Sequence, residues 1–193
     1  NGGNLGTEGS VAHGFDLIEM KSKKISLNMG EQLACKAIAK QRYSTARGAG
    51  VTNSRVGKQS DEETDLEGVA AELAFAKYYS EYPTGVFDIG ARSSKKGEDA
   101  DGDIKINGYT VDVKATKYHS GRLIAAEWKD HSSIDYYALV VGTFPSYEVK
   151  GVMKTSDLII KERLKTLPRG TNKVYQAEQD ELQFPKELEK ENK

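Results

Sequence analysis

Apolar and polar residues alternate most regularly between residues 103 and 116, and that stretch reads as a β-hairpin. Asn107-Gly108 supplies two consecutive residues that accept positive φ, which a tight type I′ turn requires. With those two as the loop, Ile106 opposes Tyr109, Ile104 opposes Val111 and Asp103 opposes Asp112. Ile104, Ile106, Tyr109, Val111, Val113 and Ala115 then share the face expected to enter the core. Asp101, Asp103, Asp112 and Lys114 share the other face.

Around the hairpin the period changes to that of helices. Leu33, Ala34, Ala37 and Ile38 predict a helix over 31–41 that starts near Asn28. A second helix begins at Asp61, with acidic residues in its first turn, where the helix dipole favours them. Its apolar stripe is Leu66, Val69, Ala70, Leu73 and Ala76, and Glu72 lies at the edge of that stripe. Residues 86–89 are a short strand candidate, and 123–128 could be strand or helix. The near-continuous apolar run 136–143 reads as a buried central strand and 147–153 as another. Thr155-Ser156-Asp157 is expected to cap a helix through about Leu164. Residues 1–15 read as a flexible lead, 91–97 as a polar, basic loop and the chain beyond Pro168 as a polar tail.

Length and composition narrow this further. A chain of 193 residues, 37% hydrophobic and 30% charged, is expected to form one domain with a real core. It contains no apolar run long enough to span a bilayer and no secretory pattern at its start, so a cytoplasmic location is expected, without a membrane partner. The single cysteine, Cys35, excludes an internal disulfide framework, and its helical setting predicts a buried structural thiol. A net charge of −1 argues against indiscriminate coating of nucleic acid but leaves local patches open. One such patch is the Gly-containing stretch after the first helix, with Arg42, Arg47, Arg55 and Lys58; another follows the hairpin, with Lys117 and Arg122.

The candidate chemistry lies on the hairpin's polar face. Opposed like charges destabilise a sheet, so Asp103 against Asp112 is a local conflict that a cation would resolve. Hard carboxylate oxygens suit Mg²⁺ or Mn²⁺. Removing either charge from such a crowded pair is expected to leave the metal-free fold intact or stabilised. Asp99, Asp101 and Asp103 have the spacing of an EF-hand calcium loop, but Ile104 and Thr110 stand where that loop needs Gly and Glu. The alternative for this face is simple solvation.

An Asp followed on the next strand by Asp112-Val113-Lys114 resembles the PD-(D/E)XK nuclease superfamily, with Gly102 in place of the motif's Pro. The run 68–74 resembles the first helix of many of its members. The element order over roughly 64–164 matches the superfamily's core. The resemblance implies an α/β, restriction-endonuclease-like core, with a mixed central β-sheet flanked by helices. It divides the chain into an N-terminal extension (1–60), a nuclease-like core (61–168) and a C-terminal tail (169–193). It implies that Glu72, Asp103 and Asp112 bind Mg²⁺ or Mn²⁺, with Glu67 the less favoured stand-in for Glu72, and that Lys114 acts on the attacking water and on transition-state charge. Arg47, Arg55, Lys58, Lys117 and Arg122 become candidate nucleic-acid contacts. The expected function is hydrolysis of phosphodiester bonds, in DNA first, as in small phage or bacterial members. A non-catalytic nucleic-acid-binding or assembly module is the alternative, and a homo-oligomer is left open.

Overall fold

The computed structural model describes residues 23–50, 59–81, 103–167 and 172–189. The expected strand at 86–89, the loop at 91–97, and Arg55, Lys58, Asp99 and Asp101 lie outside them.

The hairpin forms as β2 (Ile104–Ile106) and β3 (Tyr109–Thr116), with Ile104 opposite Val111 and Ile106 opposite Tyr109. Asn107 and Gly108 take φ of 46° and 88°, the pair of positive values that the turn demands. β3 runs parallel to β5 (Tyr136–Thr143), which pairs antiparallel with β6 (Ser146–Lys154). A short strand with no strong pattern of its own, β1 (Lys23–Ser26), closes the far edge against β6. The result is a mixed five-stranded sheet in the order β1-β6-β5-β3-β2.

Its two faces are covered differently. On one lie α1 (Met29–Gly48) and α2 (Asp61–Tyr78). Val69, Ala70, Ala74 and Phe75 of α2 pack there with Val111, Val113, Ala138 and Val140 of the sheet. The alanines bring the helix close to the strands. Both helices start at complete capping boxes, Asn28 with Glu31 and Ser60 with Glu63. Against the other face lie β4 (Leu123–Ala126), β7 (Leu164–Thr166) and β8 (Lys173–Ala177), an antiparallel sheet in the order β4-β8-β7, beside the short α3 (Thr155–Leu158). Leu123, Ala125, Tyr137, Leu139, Leu158 and Ala177 form this second core. The architecture is therefore mixed α/β, with helices flanking a mixed sheet.

Three expectations change. The stretch 42–48, read as a basic loop, continues α1, because its residues tolerate helix and Arg42 and Arg47 find acidic partners on α2. The helix expected through Leu164 stops at Leu158; a 3₁₀ turn follows and Leu164 enters β7. The tail expected from 169 contains β8, buries Leu182 and Leu188, and bonds Gln183 to Val152 in both directions. The boundaries expected at 60 and 168 thus do not separate units, since β1 and α1 complete the main sheet and its helical layer while β8 holds the second sheet together. Among the described residues, no helix is long and apolar enough to cross a membrane.

Candidate functional site

Alternation along β3 decides which side chains meet. Val111 and Val113 face the helical layer. Asp112 and Lys114, beside Tyr137 and Leu139 in the parallel register, face the second core. A carboxylate on that face must leave water, and Asp112 is 0% exposed. Two lysines offset the cost. Lys129, from the turn after β4, donates to Asp112 Oδ2 at 2.5 Å. Lys114 Nζ lies 2.5 Å from Oδ1. Both oxygens of the buried carboxylate thus face an ammonium. Burial pushes the Asp112 carboxyl up, but the Lys114 and Lys129 ammoniums together outweigh burial and hold it down at about 2.

Asp103 is also buried. It stands just before β2, donates its backbone N–H to the Val111 carbonyl and accepts the Val113 N–H on Oδ2 at 2.7 Å. Its side chain thereby takes over a ladder bond beside Asp112. Asp112 and Lys114 thus share one face of β3, and Asp103 bonds to the backbone of the residues on either side of Asp112.

Glu72 is placed otherwise. It belongs to the helical layer, on the sheet face away from Asp112 and Lys114. Arg42 of α1 grips both its oxygens, at 3.1 and 3.0 Å. Among the described residues, no group of three or more His, Cys, Asp or Glu side chains could hold a metal ion, so the expected set of Glu72, Asp103 and Asp112 is not assembled. Glu67, the stand-in, serves the β5–β6 turn: it accepts from the Phe144 N–H and, at 2.5 Å, from the Tyr147 hydroxyl. A cation does not require three carboxylates. Mg²⁺ commonly uses one or two carboxylates and completes its shell with water and substrate phosphates. Asp103 and Asp112 are the two carboxylates that could serve, and a cation at Asp112 would take the place that Lys114 holds at Oδ1.

Lys129 was not legible in the sequence, where it is one lysine in a polar turn between two strands. Two further groups complete its surroundings. Tyr137, wholly buried, shares a 2.6 Å hydrogen bond with His131 Nδ1. The Lys114 ammonium lies 5.8 Å from the Tyr137 ring centre, within cation–π range. Burial, and after it the Lys129 charge, hold the His131 imidazole below its usual value, so it is neutral near pH 7.

The expected nucleic-acid contacts divide. Arg47 is on α1, paired with Asp61 at 3.5 Å. Arg122 pairs with Glu178 at 2.6 Å on the surface. Lys117 is exposed and lines a groove of about 430 Å³ with Lys24 and His119. Cys35 is buried as expected, its thiol pushed up to about 11 by burial and then by Glu31 and Glu72, which leaves it a poor nucleophile.

A family model described as a family of unknown function, DUF5843, matches residues 21–162. No curated protein and no solved structure matches the chain. The matched stretch includes the five strands of the main sheet, both long helices and every residue placed around Asp112, while β7 and β8 lie beyond it.

Proposed function

We propose that this chain, which belongs to the DUF5843 family, is a metal-dependent nuclease with a restriction-endonuclease-like core and DNA as its first substrate. The observation that carries the reading is the buried Asp112 with Lys114 two residues on, flanked by Asp103 on the neighbouring chain segment. A carboxylate already ionised can ligate a cation without first losing a proton, and the ammonium beside it can turn to an anion that arrives there. Asp103 and Asp112 would hold Mg²⁺ or Mn²⁺. When bound, the cation supplies Lewis-acid stabilisation of charge on the phosphate. Lys114, 33% exposed, then leaves Oδ1 and donates to a phosphate oxygen or orients the attacking water. In the hydrolysis a water oxygen bonds to phosphorus, the ester P–O bond breaks, and the proton that the water gives up is balanced by the one the departing oxygen takes up. Lys117 would extend the phosphate-binding surface.

One observation favours a second reading. Glu72 is committed to Arg42, and a site with two carboxylates instead of three suits a module that binds nucleic acid without cutting it. Incubation with circular and linear DNA in Mg²⁺, Mn²⁺ or EDTA separates the two. The nuclease reading expects cutting with metal, none with EDTA, and a single-turnover rate about 10²-fold lower for Lys114→Ala, which still binds DNA. DNA binding with no cutting under either metal would establish the module instead.

A further inference from the structure

Resting on the nucleic-acid partner that both readings above share, we infer that the strand it presents is single and that one of its bases stacks on Tyr118. Among the described residues Tyr118 is the one aromatic side chain left largely in water, 61% exposed. It stands between Lys117 and His119, which line the groove of about 430 Å³ together with Lys24 of β1 and Val141 and Gly142 of β5. β3 and β5 run parallel, and the groove lies where both end. Tyr118 is four residues beyond Lys114, at most about 13 Å along an extended chain. A strand with one phosphate at Lys114 therefore reaches Tyr118 within a few nucleotides.

The turn that presents the ring is pinned. The Tyr118 N–H donates to Thr116 Oγ1 at 3.3 Å, and the Gly121 N–H donates to the Tyr118 carbonyl at 2.8 Å. Gln179, beyond β8, donates from Nε2 to the carbonyls of His119 and Gly121 at 2.8 and 2.7 Å. Gly121 has no room for a side chain, since a Cβ there would meet Thr116 and the Tyr118 carbonyl. The backbone under the ring is thus ordered before any ligand arrives, which lowers the entropic cost of using it. The Lys117 ammonium lies 5.7 Å from the ring centre, within cation–π range, where it can also meet the phosphate of a stacked nucleotide.

Geometry and charge both favour an unpaired strand. In a duplex the faces of each base are covered by its neighbours, so an aromatic side chain stacks only on a base that has been released from them. Duplex binding leans instead on many phosphate contacts. The described groove brings two lysines, Lys24 and Lys117. Its Glu148 is paired with Lys150 at 2.7 Å, and Lys117 also feels the Glu63 carboxylate at the start of α2. Arg122, on the same turn, is held by Glu178. So few cations grip a double helix weakly, whereas stacking adds a contribution that every base can supply.

The test is fluorescence anisotropy in EDTA with three labelled probes: a short DNA single strand, the same sequence as a duplex, and a strand of abasic linkages that keeps the phosphates and removes the bases. The wild type should bind the single strand on the order of tenfold more tightly than either of the others. Tyr118→Ala should lose most of that preference, whereas Tyr118→Trp should keep it and its added indole emission should be quenched by the single strand. Circular dichroism checks the folding of each variant, and the comparison of single with abasic strand needs no variant at all. A folded Tyr118→Ala that binds the single strand as tightly as the wild type overturns the inference. So does wild-type binding of the duplex or of the abasic strand as tight as that of the single strand. In both cases cutting of DNA by the wild type in Mg²⁺, measured alongside, leaves the nuclease reading standing. No binding of any probe overturns the inference, and with no cutting in Mg²⁺ it overturns both readings above as well.

Discussion

Replacing Asp112 by Asn should destabilise the metal-free protein, which reverses the sign expected from two crowded carboxylates. The side chain keeps its shape and can still accept a hydrogen bond, so the change isolates the charge. Two routes give the magnitude. Breaking a buried ion pair from one side costs about 3–5 kcal/mol, and an amide that still accepts from Lys129 puts the loss at or below the low end. The Lys114 contact is more exposed and adds under about 1 kcal/mol. Independently, a carboxyl held at about 2 instead of its ordinary 3.8 corresponds to roughly 2–3 kcal/mol of preference for the charged form. The two agree on a loss of about 2–3 kcal/mol, or about 5–10 °C in Tm for a chain of this length. The same group fixes a pH dependence. Between about pH 4 and pH 2 the unfolded chain binds this proton and the native state does not, so stability is present above that window and is lost as pH falls through it. Urea unfolding in EDTA at neutral pH, and again along an acid series, measures both effects, and Asp112→Asn should lack the part of the acid loss due to this group. A variant as stable as the wild type at neutral pH would refute the reasoning, since it would mean that the lysines do not compensate the buried charge.

Two further outcomes concern the carboxylates that the fold sends elsewhere. Arg42→Ala removes the bidentate partner of Glu72, with side chains only 14% and 7% exposed, and should cost about 3–5 kcal/mol in urea unfolding, whereas Arg42→Met with Glu72→Leu should recover most of it. Glu67→Ala strips the acceptor from the Tyr147 hydroxyl and the Phe144 N–H and should cost about 2–3 kcal/mol, with Glu67→Gln milder; a change under about 0.5 kcal/mol would mean that water replaces the carboxylate.

What the sequence shows of this molecule is what local rules decide. Period-two alternation and Asn107-Gly108 determine the hairpin and its register, and an unbroken apolar run marks β5. Those two elements suffice to put Asp112 and Lys114 on one face. Elements set by long-range packing are hidden. β1 has four residues and exists because β6 has an open edge. The far end of α1 looks like a loop until Arg42 and Arg47 meet α2. Residues 159–166 leave the helical path because β8, from a stretch that reads as tail, offers a strand to pair with. The same division runs through the site. Like charges at 103 and 112 demand a cation, and that demand is local. Whether a metal or an ammonium answers it depends on a turn beyond the hairpin, closed by a bond to Ala126 and tied back to Thr110 of β3. Lys129 answers it from inside, donating to Asp112 Oδ2 from a side chain only 9% exposed.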